Sequence, residues 1–123
     1  MKLVDTSIWV DFLRGKDDRL EEWLVAGRVA IHPFVVGELA CGRLQSRATV
    51  LHLLKRLPAV PVATQDEALH FVARHRLYGT GLGYVDVHLL AAAALSGYAR
   101  IATRDTALAS AARLLGLAVD EAG

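Results

Sequence analysis

The sequence is poor in cysteine and proline and has no long apolar run. Its single cysteine, Cys41, excludes an internal disulfide and a thiolate zinc site, and we expect it to be an inert thiol in the core. The longest apolar runs, such as residues 89–95, are far shorter than the ~20 residues of a membrane span, which predicts a soluble protein. No signal peptide is expected, since the N-terminus has no long apolar segment before a cleavage site, and a cytoplasmic location follows.

Neither sign of charge is in large excess. Fourteen Lys and Arg oppose thirteen Asp and Glu, a net charge of +1, which is not the strong basic excess of many nucleic-acid-binding proteins. Hydrophobic residues make up 54% of the chain, which excludes intrinsic disorder. Because 123 residues are too few for two well-buried cores, we expect one domain over residues 1–123.

Apolar periodicity predicts short strands separated by helices. The strands are predicted at 2–4, 28–32, 100–103 and 117–119, with an extended segment around Val60. The helices are predicted at 6–13, between Asp17 and Gly27, and at 34–43, 47–56, 65–78, 85–95 and 106–115. Such alternation implies crossover connections, and therefore an α/β fold in which helices cover a parallel sheet.

Four acids stand out because core-forming residues flank them in the sequence: Asp5, Glu38, Asp86 and Asp105. Asp5 and Asp105 each follow a predicted strand, and ligands collect beyond the carboxyl ends of parallel strands. Glu38 lies in mid-helix among apolar residues, where burial of an isolated carboxylate is so costly that a cation is expected beside it.

Helix capping is an alternative explanation for three of these acids. Asp5, Asp86 and Asp105 lie at or near predicted helix starts, where a carboxylate that accepts backbone N–H bonds contributes ~1 kcal/mol. A noncatalytic α/β binding module is therefore one alternative. A degenerate receiver-like domain is another, although residues 43–65 contain no Asp or Glu and no Lys follows Lys55.

Four converging carboxylates would suit a hard divalent cation. Mg²⁺ prefers oxygen ligands, and Mn²⁺ accepts the same set. Without a cation, closely spaced carboxylates raise each other's pKa. Because a bound metal neutralises phosphate charge and lowers the pKa of a water, the natural substrate of such a site is a phosphodiester.

Four segments carry a resemblance to a known family: MKLVDTSIWVDFLR, the helix around Glu38, GLGYVDVHLLAAA and IATRD. Together they resemble the PIN-domain ribonucleases, specifically the VapC-like toxins of type II toxin–antitoxin pairs, over essentially the whole chain. The resemblance implies a three-layer α/β/α sandwich with a short parallel sheet, a Mg²⁺- or Mn²⁺-dependent endoribonuclease activity on RNA, frequent homodimers and a small antitoxin partner. It also implies that the four acids form the catalytic and metal-binding site, with Asp5 and Asp86 as the most direct ligands.

Neighbouring polar residues are candidates for supporting roles. The resemblance suggests that Thr6, Ser7 and Thr103 orient carboxylates or waters, while capping and strand propensity explain them equally well. Arg104 is the best-placed candidate for a substrate phosphate, because it adjoins Asp105. Other arginines that could rim the site, Arg14 and Arg43 among them, are expected mainly to form a solvated surface.

Overall fold

A three-stranded parallel sheet forms the centre of the fold. The computed structural model describes residues 1–120, in which β1 spans Lys2–Val4, β2 spans Val29–Ala30 and β3 spans Arg100–Ala102. The order is β2-β1-β3, and both pairs are parallel. Leu3 and Val4 of the central strand are fully buried, as expected of a strand covered on both faces.

Seven α-helices surround the sheet within residues 1–120. They are α1 (Thr6–Leu13), α2 (Arg19–Val25), α3 (Pro33–Ala40), α4 (Arg47–Lys55), α5 (Gln65–His75), α6 (Tyr84–Ser96) and α7 (Thr106–Leu114). The predicted α/β class and the three-layer α/β/α arrangement are confirmed. Because all three strands are parallel, their carboxyl ends lie at one edge of the sheet, where α1, α3 and α7 begin.

The structure differs from the predicted bounds of one strand and one helix. Residues 117–119 form only an isolated bridge, Ile101 to Ala118, rather than a strand, because a single residue of the ladder is paired. The extended segment predicted around Val60 does pair with the sheet, through a bridge from Ala59 to Ile31. The helix predicted to reach residue 78 ends at His75, because Arg76 adopts a left-handed backbone conformation with φ 54°. Of the polar tail expected after Val119, residues 121–123 lie outside the described residues.

Helix α6 is the most deeply buried helix of the described chain. Every residue from 87 to 93 is buried, as is typical of a helix that is apolar on all sides. Full burial of a leucine such as Leu89 or Leu90 contributes roughly 1.5–3 kcal/mol, so this helix anchors the fold and fixes the position of its own first turn. None of the helices in residues 1–120 has the combined length and apolarity needed to cross a membrane.

The prediction that Cys41 is a core thiol is wrong. Cys41 is exposed and caps the C-terminal end of α3. The buried face of α3 carries Val35 and Leu39. A residue two positions beyond Leu39 points to the opposite side of the helix, and this places the thiol in solvent.

Candidate active site

Asp5 lies at the carboxyl end of the central strand and is 7% exposed. Its backbone N–H donates to the Ala102 carbonyl at 3.0 Å, which ties the end of β1 to the end of β3. Asp5 is also the N-cap of α1, since its Oδ1 accepts the Ser7 N–H at 3.4 Å. The strand, the turn and the first helical turn therefore fix this carboxylate together.

Two hydroxyl groups donate to the other oxygen of Asp5. Ser7 Oγ lies 2.9 Å from Asp5 Oδ2, and Thr103 Oγ1 donates to the same atom. Each hydroxyl accepts a backbone N–H in turn: Arg104 N lies 3.2 Å from Ser7 Oγ, and Asp105 N lies 3.0 Å from Thr103 Oγ1. Both hydroxyl protons are thereby directed to Asp5, so Ser7 and Thr103 contact the carboxylate that they were predicted to orient.

Asp105 stands at the same edge, two residues beyond Thr103. It is exposed and is the N-cap of α7, with its Oδ1 accepting the Leu108 N–H at 3.0 Å. Its Oδ2 accepts no hydrogen bond from residues 1–120. One oxygen of Asp105 therefore caps the helix while the other is available to a ligand.

Asp86 enters the site from the first turn of α6. It is half-buried, and its Oδ2 accepts the Gly83 N–H at 3.0 Å, which closes the helix start. Partial burial raises the pKa of Asp86 above its ordinary value, with the Gly83 N–H opposing this effect. The negative charges of the other three acids, Asp105 first, raise the pKa further. Asp86 thus lies within range of the charges of the other three predicted acids.

Glu38 differs from the sequence prediction in its burial. It was expected to be a buried carboxylate in need of a cation, yet it is exposed on α3, so burial does not require a positive partner. The apolar sequence neighbours of Glu38 did not predict its exposure, because Glu38 lies at the border of the face of α3 that buries Val35 and Leu39, and its side chain still reaches solvent. Thr6 Oγ1 donates to Glu38 Oε1 at 2.6 Å and links the start of α1 to α3.

A cluster of four rings joins the helices that carry Glu38 and Asp86: His32, Phe34, Tyr84 and His88. Ring centroids lie 4.9 Å apart for His32 and Phe34, 4.7 Å for Phe34 and His88, and 4.5 Å for Tyr84 and His88. His88 is buried and packs between Phe34 and Tyr84. His32 caps α3 through Nδ1, and burial, followed by the proximity of His88, lowers its pKa to about 4, so it is neutral. No local sequence signal identified His32.

Arg104 does not point its guanidinium at the four acids. It forms ion pairs with Asp11 and Asp17, and the Asp17 side chain is only 4% exposed. Asp11 and Asp17 are 93 and 87 residues away in sequence, so no local pattern announces this pairing. The Arg104 backbone N–H donates to Ser7 Oγ and so helps to position a residue of the site. Its guanidinium pairs with Asp11 and Asp17 instead.

The capping alternative is correct as geometry. Asp5, Asp86 and Asp105 each accept a backbone N–H at a helix start. Capping does not explain why three caps and Glu38 lie together, since each helix needs only its own acceptor. The convergence is therefore a property of the site, added to the local role of each residue.

The donor set fits a hard divalent cation. All four ligand candidates are carboxylates, and Glu38 Oε2, Asp86 Oδ1 and Asp105 Oδ2 accept no hydrogen bond from residues 1–120. The four acids are near enough to interact electrostatically, but in this part of the chain no three acid, histidine or cysteine side chains already stand at coordination spacing.

Comparison with known proteins agrees with this arrangement. The PIN domain family model matches residues 2–114. Two curated relatives, both named Ribonuclease VapC32, come from the CDC 1551 / Oshkosh and ATCC 25618 / H37Rv strains of Mycobacterium tuberculosis. Each is 48% identical over 121 residues, which cover 98% of this chain and 98% of the relative.

Proposed function

This chain belongs to the PIN-domain family, and from that premise we propose that it is a metal-dependent endoribonuclease and the toxin of a toxin–antitoxin pair. The observation that carries the proposal is the convergence of four acids, from three helix starts and one helix body, at the carboxyl edge of the sheet. The name of the two VapC32 relatives supports RNA as the substrate.

Asp5 and Asp86 would hold a Mg²⁺ or Mn²⁺ ion, with Glu38 and Asp105 completing the carboxylate set. When bound, the ion supplies charge neutralisation at the scissile phosphate and a more acidic water. The protein contributes the positions of the ligands. Ser7 and Thr103 hold the Asp5 carboxylate in one orientation, and Thr6 holds one oxygen of Glu38.

The partners follow from the same family relationship. We expect a cognate antitoxin, a homodimer and a cytoplasmic location, with residues 1–123 acting as one domain.

Cleavage of RNA by the purified protein tests the proposal. Cleavage is expected with Mg²⁺ or Mn²⁺ and is expected to stop with EDTA. Asp5→Asn and Asp86→Asn are each expected to reduce the rate by about 100-fold or more, because each removes a carboxylate that would hold the metal ion, and the ion would neutralise charge on the reacting phosphate.

Glu21→Gln is the matched control, because it neutralises an exposed acid on α2 whose charge does not act on Asp86. Its rate is expected to equal that of the parent protein. Full activity in EDTA would contradict metal dependence, and full activity of the Asp5→Asn and Asp86→Asn variants would mean that these two aspartates serve only as helix caps.

A further inference from the structure

A groove of about 660 Å³ lies between the C-terminal ends of α1 and α3 and includes Glu38 in its wall. Arg14 stands on the α1 side, and Arg43 and Gln45 stand on the opposite side, after α3. The volume falls in the range of about 300–1,000 Å³ typical of ligand clefts. Because Glu38 belongs to both, the groove adjoins the acidic site at Glu38.

The two arginines of this groove form no ion pairs within residues 1–120. Arg14 and Arg43 are exposed, and neither forms an ion pair with an acid anywhere in residues 1–120. Arg104 shows the contrast, since two carboxylates hold its guanidinium. Positive charge without an acid partner among residues 1–120 is therefore present in the groove beside Glu38, whereas Arg104, which the sequence favoured, is paired.

Polynucleotide substrates need such charge beside an acidic site. RNA carries one negative charge for each phosphate, and only the scissile phosphate is matched by the metal that the carboxylates would hold. The neighbouring phosphates approach acidic side chains and are repelled unless the protein supplies cations. A guanidinium suits this role, because it donates two parallel hydrogen bonds to phosphate oxygens.

We propose that Arg14 and Arg43 bind the phosphates of the RNA strand that flanks the cleavage position, with the groove as the path of that strand. The inference rests on the proposed ribonuclease function and adds the direction in which the substrate leaves the acids. Arg14 and Arg43 act on binding, while the carboxylates act on the chemical step.

Binding of a fluorescent single-stranded RNA oligonucleotide, measured by anisotropy in EDTA over a salt series, tests the proposal. The Arg14→Ala/Arg43→Ala double variant is expected to bind roughly 10-fold more weakly. Each lost phosphate contact reduces the magnitude of the negative slope of log K against log salt by about 0.7. The loss of two contacts is therefore expected to make the slope less steep by about 1.4. With Mg²⁺, KM is expected to rise while kcat stays close to that of the parent.

Two matched variants separate charge from structure. Arg14→Lys/Arg43→Lys keeps both charges and is expected to restore most of the salt slope. Arg28→Ala removes an exposed arginine at the amino edge of the sheet, just before β2 and opposite the acids, and is expected to bind like the parent. An equal loss in Arg28→Ala would indicate a general charge effect and overturn the proposal.

Different results would contradict the ribonuclease function and the role of the groove. A parent protein that does not cleave RNA with Mg²⁺ or Mn²⁺ contradicts the proposed function. A parent that cleaves, together with an Arg14→Ala/Arg43→Ala variant of unchanged affinity and salt slope, contradicts only the groove assignment. If that variant keeps its RNA affinity but loses binding to the antitoxin, the groove serves a protein partner and the proposal is wrong.

Discussion

The two halves of the acidic site are built differently. Asp5, at the end of β1, is buried and accepts hydrogen bonds from Ser7 N–H, Ser7 Oγ and Thr103 Oγ1. Asp86 and Glu38, carried by α6 and α3, are more exposed, and each accepts one hydrogen bond. The strand half is satisfied by the protein itself. The helix half, where burial and neighbouring charge raise the pKa of Asp86, is left short of positive charge.

This difference indicates a division of labour. A carboxylate fixed by several donors is a rigid reference point, and it stabilises the fold as well as the site. Carboxylates held together against their own repulsion weaken the folded state and attract a cation, as is typical of functional sites. Substitutions in the two halves should therefore differ in their effects on activity and on stability.

Removal of the supporting hydroxyls should give the largest contrast in activity. Thr103→Val is expected to reduce cleavage by about 10- to 100-fold, because groups that orient metal ligands are worth that much and Thr103 holds a buried carboxylate. Thr6→Val removes the equivalent contact to exposed Glu38, where rotation and water can compensate, and should cost less than ~10-fold. Rates measured at saturating Mg²⁺ test the pair, and equal losses would contradict the division.

Substitutions in the two halves should change the stability of the metal-free protein in opposite directions. Asp5→Asn is expected to lower the free energy of unfolding by about 1–3 kcal/mol, because three donors lose their ionised acceptor. Asp86→Asn keeps an oxygen for the Gly83 N–H and removes a charge that its surroundings disfavour, so its Tm in EDTA should rise. A Tm below that of the parent would show that Asp86 is only a helix cap.

The pH dependence of stability should show a smaller effect of the same origin. Because the folded state raises the pKa of Asp86 above the ordinary 3.8, the folded protein binds this proton more tightly than the unfolded chain. Its contribution is therefore most favourable at low pH and is lost as pH rises from about 3.8 through the folded pKa. In urea titrations across this pH window, the free energy of unfolding of Asp86→Asn should decline less with rising pH than that of the parent protein. Identical profiles would contradict the assigned pKa direction.

Local signals were sufficient to predict most of the fold. The helix starts at Thr6, Gln65 and Thr106 were predictable, because each follows a residue suited to cap it. The end of α5 was not predictable from the sequence. It depends on a left-handed backbone conformation at Arg76, and arginine is not a residue type that favours this conformation. The absence of a strand at 117–119 also depends on tertiary pairing, which periodicity does not report.

The four acids could be named from sequence because charge among apolar neighbours needs a reason. Their surroundings could not be predicted, since the exposure of Glu38 and of Cys41 depends on which side of α3 packs against the fold. The commitment of Arg104 to Asp11 and Asp17 joins residues far apart in the chain and has no local signature. Sequence thus predicts which acids come together better than it predicts which charges form ion pairs.

Direct binding of Mn²⁺, followed by the loss of the free-ion electron paramagnetic resonance signal, tests most directly whether the two halves form one metal site. The parent protein and Glu21→Gln are expected to bind Mn²⁺ with the same affinity. Asp5→Asn, from the strand half, and Asp86→Asn, from the helix half, are each expected to bind it at least about 10-fold more weakly. Undiminished Mn²⁺ binding by Asp86→Asn would show that the helix half takes no part in the site.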